Sequence, residues 1–204
     1  MFKTLLASVA LSLSFATSGL AAIVTSNTQD NTELGTLTGT TLNLGSATWS
    51  TAPDIRAGNL GGQYRSPFEQ LGAGNFERLS YWNVLGGTSA TLSVNGPASA
   101  LSFLWGSVDT YNFVTLINSV TNQTDVIDLA DLLFPDVPPT GIGASFVTIR
   151  SGFAFDKVQF LSQGNSLEFS NVSVAPVPLP AGGVLLVTAL GGFGLLRRRK
   201  QAAA

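Results

Sequence analysis

Cysteine and histidine are absent from this 204-residue chain, and its single methionine is the first residue. These gaps exclude disulfides, thiolate and imidazole metal ligands, a Ser-His-Asp or Cys-His nucleophile pair, and a histidine general base. Charge is scarce as well, at 11% Asp, Glu, Lys and Arg together. The formal balance of −2 hides an uneven distribution. Between residues 23 and 180, five cations (Arg56, Arg65, Arg78, Arg150, Lys157) stand against all twelve acids, a local balance of −7. A body of that sign has no footprint for nucleic acid. The glycines, 22 in number, lack the spacing and the following Lys-Ser/Thr of a phosphate-binding loop.

The remaining basic residues sit at the chain ends, where they frame two transport signals. Residues 1–22 place Lys3 before an apolar run and end in small residues, the layout of a secretory signal peptide. The run is too short for a stable membrane span. Cleavage after Ala21 puts Gly19 three residues back, whereas cleavage after Ala22 puts Leu20 there. Narrow peptidase pockets favour Ala21. At the other end, residues 181–196 carry no charge and a single hydroxyl, Thr188. Sixteen residues at ~1.5 Å each give a helix of about 24 Å, a short but adequate transmembrane helix if flanking residues help. Arg197, Arg198, Arg199 and Lys200 follow as a basic cluster that stays on the cytoplasmic side. The body between the signals is then expected outside the cytoplasmic membrane.

Immediately before the apolar stretch, Pro176, Pro178 and Pro180 alternate with Val177 and Leu179. With φ set at every second residue, this segment is extended and poor in backbone donors. The succession of Val177, Pro178, Leu179, Pro180 and Ala181, short apolar helix, basic cluster and chain end resembles the PEP-CTERM class of bacterial sorting tails, in its VPLPA variant. The resemblance covers residues 177–204. It implies recognition by an exosortase, a membrane-embedded processing enzyme, removal of the tail near the motif, and delivery of the body to the cell surface or an exopolysaccharide matrix.

Residues 23–176 are expected to form one all-β domain, an antiparallel β-sandwich of jelly-roll-like kind. Alternation of apolar and polar residues is frequent and helical periodicity is missing. Ala90, Leu92 and Val94 alternate with Thr91 and Ser93, and Leu101, Phe103 and Trp105 form a second alternating set. Asn95-Gly96-Pro97 between them predicts a hairpin turn. Further strands are expected at 111–118, 145–150, 153–161 and 167–174, with a turn at 163–165. The looser candidates are 36–44 and 76–84. A short helical turn fits within 125–136. Residues 101–116 and 152–160, with 167–174, also resemble runs common in surface proteins bearing such tails. That family more often has an acid-plus-Asn pair where this chain has Ser170-Asn171.

Carboxylates are the remaining candidates for acid–base chemistry. Glycoside hydrolysis needs two of them about 5–5.5 Å or about 6.5–9.5 Å apart. Glu69 with Glu77, or Asp109 with Asp156, are the pairs to examine. Asp125, Asp128, Asp131 and Asp136 form a denser group of hard donors that suits Ca2+, although their spacing matches no calcium loop. Asp109 is also placed to shape the turn 106–110. Trp105 is in phase with Leu101 and Phe103, hence core. Tyr81-Trp82 are strand neighbours, so one is expected to point outward as a sugar platform.

The sequence therefore predicts an exported, non-enzymatic surface or matrix protein with no cofactor or metal of its own, Ca2+ excepted. Its partners are export machinery and signal peptidase, an exosortase-type enzyme, the cytoplasmic membrane before processing, and exopolysaccharide. A carbohydrate-binding module, assisted by Ca2+, is the alternative. A secreted glycan-acting enzyme is the third reading.

Overall fold

The computed structural model describes residues 23–27, 44, 47–70, 76–133 and 143–177. The signal peptide, the motif beyond Val177, the apolar stretch 181–196 and the basic cluster Arg197–Lys200 lie outside these, as do strand candidate 36–43 and Asp136. No helix among the described residues is long and apolar enough to cross a membrane.

Nine antiparallel strands account for most of the described chain. They are β1 (Ile23–Asn27), β2 (Ala47–Thr51), β3 (Asp54–Ala57), β4 (Ser80–Leu85), β5 (Thr88–Gly106), β6 (Asn112–Asn118), β7 (Gln123–Asp128), β8 (Ala144–Ser162) and β9 (Ser166–Pro176). Two short helices, α1 (Pro67–Gln70) and α2 (Leu129–Leu133), and a 3-10 turn at Phe76–Arg78 complete the set.

The expected hairpin at Asn95-Gly96-Pro97 does not form. The chain continues without reversal as β5, 19 residues long, and both halves pair with the equally long β8. Gly96 at φ 95° and Pro97, which has no N–H for the ladder, make a bulge instead of a reversal. The register with β8 shifts there, between Ser93 and Ala98 and again before Ala100. The two expected strands 145–150 and 153–161 are likewise one strand, β8. The turn at 163–165 stands where expected, but β9 pairs with β4 and β5 rather than back onto β8.

These two bent strands serve both layers of a sandwich-like fold. The first half of β5 lies between β2 and the second half of β8, which continues to β6 and β7. The second half of β5 lies between β9 and the first half of β8, extending to β4, β3 and β1. Alternate side chains from the two layers meet in one core. Phe160 of the first layer stacks on Phe169 of the second at 4.3 Å between centroids, and Phe103 stands edge-on to Phe160 at 5.5 Å. Trp49 meets Trp82 edge-on at 5.4 Å. Such pairs add about 0.5–1.5 kcal/mol each beyond their burial. Trp105 is fully buried in this cluster, as its phase implies.

The outer face of the second layer is covered too. Tyr81 and Leu104 point away from the main core and pack with Phe68 of α1 in a separate apolar cluster. The Tyr81 hydroxyl donates to the Gly58 carbonyl at 2.7 Å. The expected sugar platform at Tyr81-Trp82 is thus overturned. The two side chains do alternate, but each finds a buried face, leaving them 0% and 3% exposed.

Candidate functional site

The segment that covers Tyr81 also builds a cleft. Residues 58–66 lie over the end of the layer where β9 begins and β5 ends. Pro67 sits directly on Gly106, where an added Cβ would come within 2.7 Å of the proline Cβ. The cleft has a volume of about 380 Å3, within the usual range of small-molecule sites. Tyr64, Arg65, Glu69, Ser107, Tyr111 and Glu168 contribute to its lining, together with Asn59, Gln63, Asn165 and Ser166. Arg65 and Glu69 close on each other, Nε to Oε2 at 2.6 Å, four positions apart across the start of α1. That bond, then a hydrogen bond from Asn59 and the charge of Arg65, holds the Glu69 carboxyl below its usual range against the opposing effect of burial.

Glu168 is the residue that composition and spacing did not single out. It sits on β9 between Leu167 and Phe169, which face the core, so its own side chain takes the outer face under the cleft. Only 2% exposed, its Oε1 accepts the Arg65 backbone N–H at 3.0 Å and the Ser166 hydroxyl. Its Oε2 has no hydrogen-bond partner. Burial pushes the carboxyl upward in pKa, against the opposing pull of Ser166, Arg65 N–H and Ser107. A glutamate at an alternating position inside an apolar strand was the available signal, because it implies a buried acid wherever both faces of the sheet are covered.

Asp109 is the second buried acid, 3% exposed in the turn between β5 and β6. Its Oδ1 accepts the Tyr111 N–H at 3.3 Å, the expected turn-shaping bond, while Oδ2 is unpartnered. Burial, with the Glu168 charge adding to it, raises its pKa to about 7, although Tyr111 and Asn112 stabilise the charged form. Asn112 donates from Nδ2 to the Ser166 carbonyl at 3.4 Å and leaves Oδ1 unsatisfied. Asn83, directly opposite Glu168 in the β4–β9 ladder, is buried with neither side-chain atom paired. An unsatisfied buried polar atom costs about 1–3 kcal/mol.

The other acids are not gathered here. Asp156 accepts the Ser119 N–H at 2.8 Å, beyond the far end of β6 from Asp109. Seven residues of strand at ~3.3 Å put the two about 20 Å apart, too far for a hydrolytic pair. Glu69 is engaged by Arg65, and Glu77 is exposed on its 3-10 turn. Asp128 ends β7 and caps α2, its Oδ1 accepting the Ala130 and Asp131 N–H groups at 3.1 and 3.3 Å. The expected calcium group at Asp125, Asp128 and Asp131 is therefore in part a helix cap. No cluster of three or more acids placed to hold a metal occurs among the described residues.

The raised pKa of Asp109 has a definite thermodynamic sign. Its ordinary value is 3.8, so between about pH 4 and pH 7 the folded chain binds more protons than the unfolded one. Stability is highest at the acid end of that window and falls as pH rises through it. The fall should be roughly 2–3 kcal/mol, below the ~4 kcal/mol that three full units would give. Asp109→Asn keeps an acceptor for Tyr111 and removes the charge. It should flatten that slope and unfold at higher denaturant than wild type at pH 8. An unchanged slope between pH 5 and pH 8 would contradict this.

No protein-family profile matches the chain, and no curated protein matches it. Function must be argued from the residues themselves.

Proposed function

We propose that this chain is an exported, non-enzymatic surface or extracellular-matrix protein. Its jelly-roll-like body, made after a signal peptide ending at Ala21 or Ala22, is presented outside the cell following exosortase-type processing at Val177, Pro178, Leu179, Pro180 and Ala181. In the precursor, residues 181–196 span the cytoplasmic membrane, and Arg197, Arg198, Arg199 and Lys200 hold the end inside. The single supporting observation is the motif in its setting, five consecutive letters ahead of a short apolar run and a basic stop.

The way the body ends agrees with this reading. β9 stays paired to β5 through Pro176, and the Val177 N–H donates to the Pro97 carbonyl at 3.1 Å. Folded structure thus reaches the first letter of the motif. The cleft lies at the opposite end of β9, where Ser166 and Glu168 stand. Ten residue steps at ~3.3 Å separate the two ends by about 30 Å. A chain held by its tail would turn the cleft away from the membrane and toward whatever matrix surrounds the cell.

That placement favours one second reading, a carbohydrate-binding module whose site is this cleft. The rings of Tyr64 and Tyr111 and the side chains of Asn59, Gln63 and Asn165 replace Tyr81-Trp82 as the groups to offer a sugar. The third reading, a glycan-acting enzyme, is less supported. Its proposed pairs are separated or engaged elsewhere, and a hydrolytic pair needs pKa values pushed apart rather than two raised together.

Mass spectrometry of material recovered from the producing cells tests the main reading. Surface or matrix protein should lack the peptide containing Arg197 to Ala204 and begin at Ala22 or Ile23. Intact chains ending in Ala202-Ala203-Ala204 would refute processing.

A further inference from the structure

Several chain segments reach one end of the body, opposite the cleft. β5 begins and finishes at the cleft end, where the Gly86 N–H donates to the Asn165 carbonyl and Gly106 pairs with Glu168. Its middle, residues 95–99, therefore stands at the far end, beside residues 150–155 of β8. β9 finishes there, with Pro176 paired to Ala98 and the Val177 N–H bonded to the Pro97 carbonyl. β1 starts there, because Ile23 pairs with Arg150, Arg150 with Ala100, and Ala100 with Ala175. Three strand spacings of ~4.8 Å put Ile23 and Ala175 about 14 Å apart. The turn from β6 to β7 joins them, since the Asn118 side-chain amide donates to the Ala154 carbonyl at 2.7 Å.

Both apolar segments of the sequence attach at this end. Val177 and Ala181 are four residue steps apart, which an extended chain spans in about 14 Å at most. The apolar run ending at Ala16 is seven steps from Ile23, about 25 Å at full extension. The described surface here suits a lipid interface. Val120, at the tip of the β6–β7 turn, is 88% exposed, and the Asn118 side-chain carbonyl fixes that turn by accepting the Val120 and Thr121 N–H groups at 2.9 Å each. Pro97, Arg150 and Gly152 are exposed as well. Among the described residues the ion pairs are those of Arg56 and Arg65, so the Arg150 charge is left for an outside partner. Asp156, an acid at this end, is engaged by the Ser119 N–H.

We propose that this end is a docking surface for an anionic lipid bilayer. In the tail-bearing chain it rests on the headgroups, with Val120 entering them and Arg150 against their phosphates. The inference rests on the reading of 181–196 as a membrane segment. A tether of four residues keeps the end at the bilayer, so contacts too weak to bind by themselves are enough to orient the body. Anionic headgroups attract Arg150 and repel the acid-rich remainder of the body, which favours this end over the others. The cleft then faces outward, a full length of β9 from the lipid.

The chain has no native cysteine, so a single introduced one carries a fluorophore without ambiguity. The test places the full-length chain in vesicles of phosphatidylcholine and phosphatidylglycerol, some bearing a nitroxide on the headgroup. The nitroxide should quench more than half of the emission from a dye on Val120→Cys or on Asn95→Cys. A dye on Leu60→Cys, exposed at the cleft, should be almost unquenched. Adding Arg150→Glu should at least halve the quenching at Val120→Cys in these vesicles and change nothing in phosphatidylcholine alone. Chains that float with the vesicles but show no quenching at either far-end position overturn the docking and leave the membrane segment standing. Equal quenching at Leu60→Cys also overturns it, because the body then lies on its side, and so does quenching indifferent to Arg150→Glu. Chains that do not float with the vesicles overturn the membrane segment and the docking together.

Discussion

Phe169→Ala should cost about 4 kcal/mol of unfolding free energy, the middle of the range for truncating a buried phenylalanine. The ring is fully buried and is one of the points at which the two layers touch. It stacks on Phe160 at 4.3 Å and lies within 5.8 to 6.3 Å of Trp82, Trp49 and Phe103. Removing it leaves a void walled by four aromatic rings held on separate strands, and rigid rings close such a void poorly. A domain of this size has roughly 5–15 kcal/mol in total, so the variant sits near the edge of folding. Trp49, Trp82 and Trp105 all belong to or border this core, which makes tryptophan emission during denaturant unfolding the direct reading. Val120, 88% exposed, supplies the control, because its replacement by serine should change stability by no more than ~0.5 kcal/mol. A loss under about 1 kcal/mol for Phe169→Ala would mean that the layers do not meet as described.

The joint substitution of Pro178 and Pro180 by alanine should leave nearly all of the chain as unprocessed precursor in the membrane fraction. Each proline fixes φ near −65° and removes an N–H, so on the proposed reading they keep the motif out of a helix. Alanine frees both dihedrals and restores two donors. Seven of the residues from 181 to 188 are Ala, Gly, Val or Leu, and without the proline break the helix proposed for 181–196 would be free to extend back toward Val177. The motif would then lie within a helix, hidden from an enzyme that needs extended backbone. Fractionation followed by detection of the body distinguishes the outcomes: precursor retained with the membrane agrees with the proposal, and release equal to wild type contradicts it. The body should be unaffected in either case, because among the described residues its last pairing is at Pro176 and its last hydrogen bond is at Val177.

The all-β character was legible because alternation was clear in the segments that became β5, β6, β8 and β9. The length of two of those strands was not. Asn95-Gly96-Pro97 carries the chemistry of a reversal, and local chemistry alone cannot tell a reversal from a bulge. That choice depends on whether a neighbouring strand, here β8, is long enough to pair with both halves. β7 was hidden for a related reason. Its residues Gln123, Thr124 and Asp125 are polar and exposed or half-exposed on an edge strand, so burial stamped little alternation on them.

The candidate site shows the same division. Asp109 stood out as a turn residue, and its bond to the Tyr111 N–H is the one that turn chemistry requires. Its coupling to Glu168, 59 positions away, depends on the β5–β6 turn and the start of β9 arriving at one end of the layer. Tyr81-Trp82 failed as a platform because alternation says only that neighbours face opposite ways. It does not say whether the second face meets water or another layer.

By itself the sequence determined the chemistry this protein cannot perform with thiols or imidazoles, the strand-forming character of its body, and the motif on which its proposed destination rests. Those are properties of composition and of contiguous residues, which are set before the chain folds. Only the tertiary structure decided that a 58–70 flap buries the outer face of β4, that Asp109 lies at the Glu168 end of the layer rather than beside Asp156, and that the cleft lies a full strand length from the tail. Burial and the pairing of distant charges are properties of the packed layers, and no local stretch of sequence carries them.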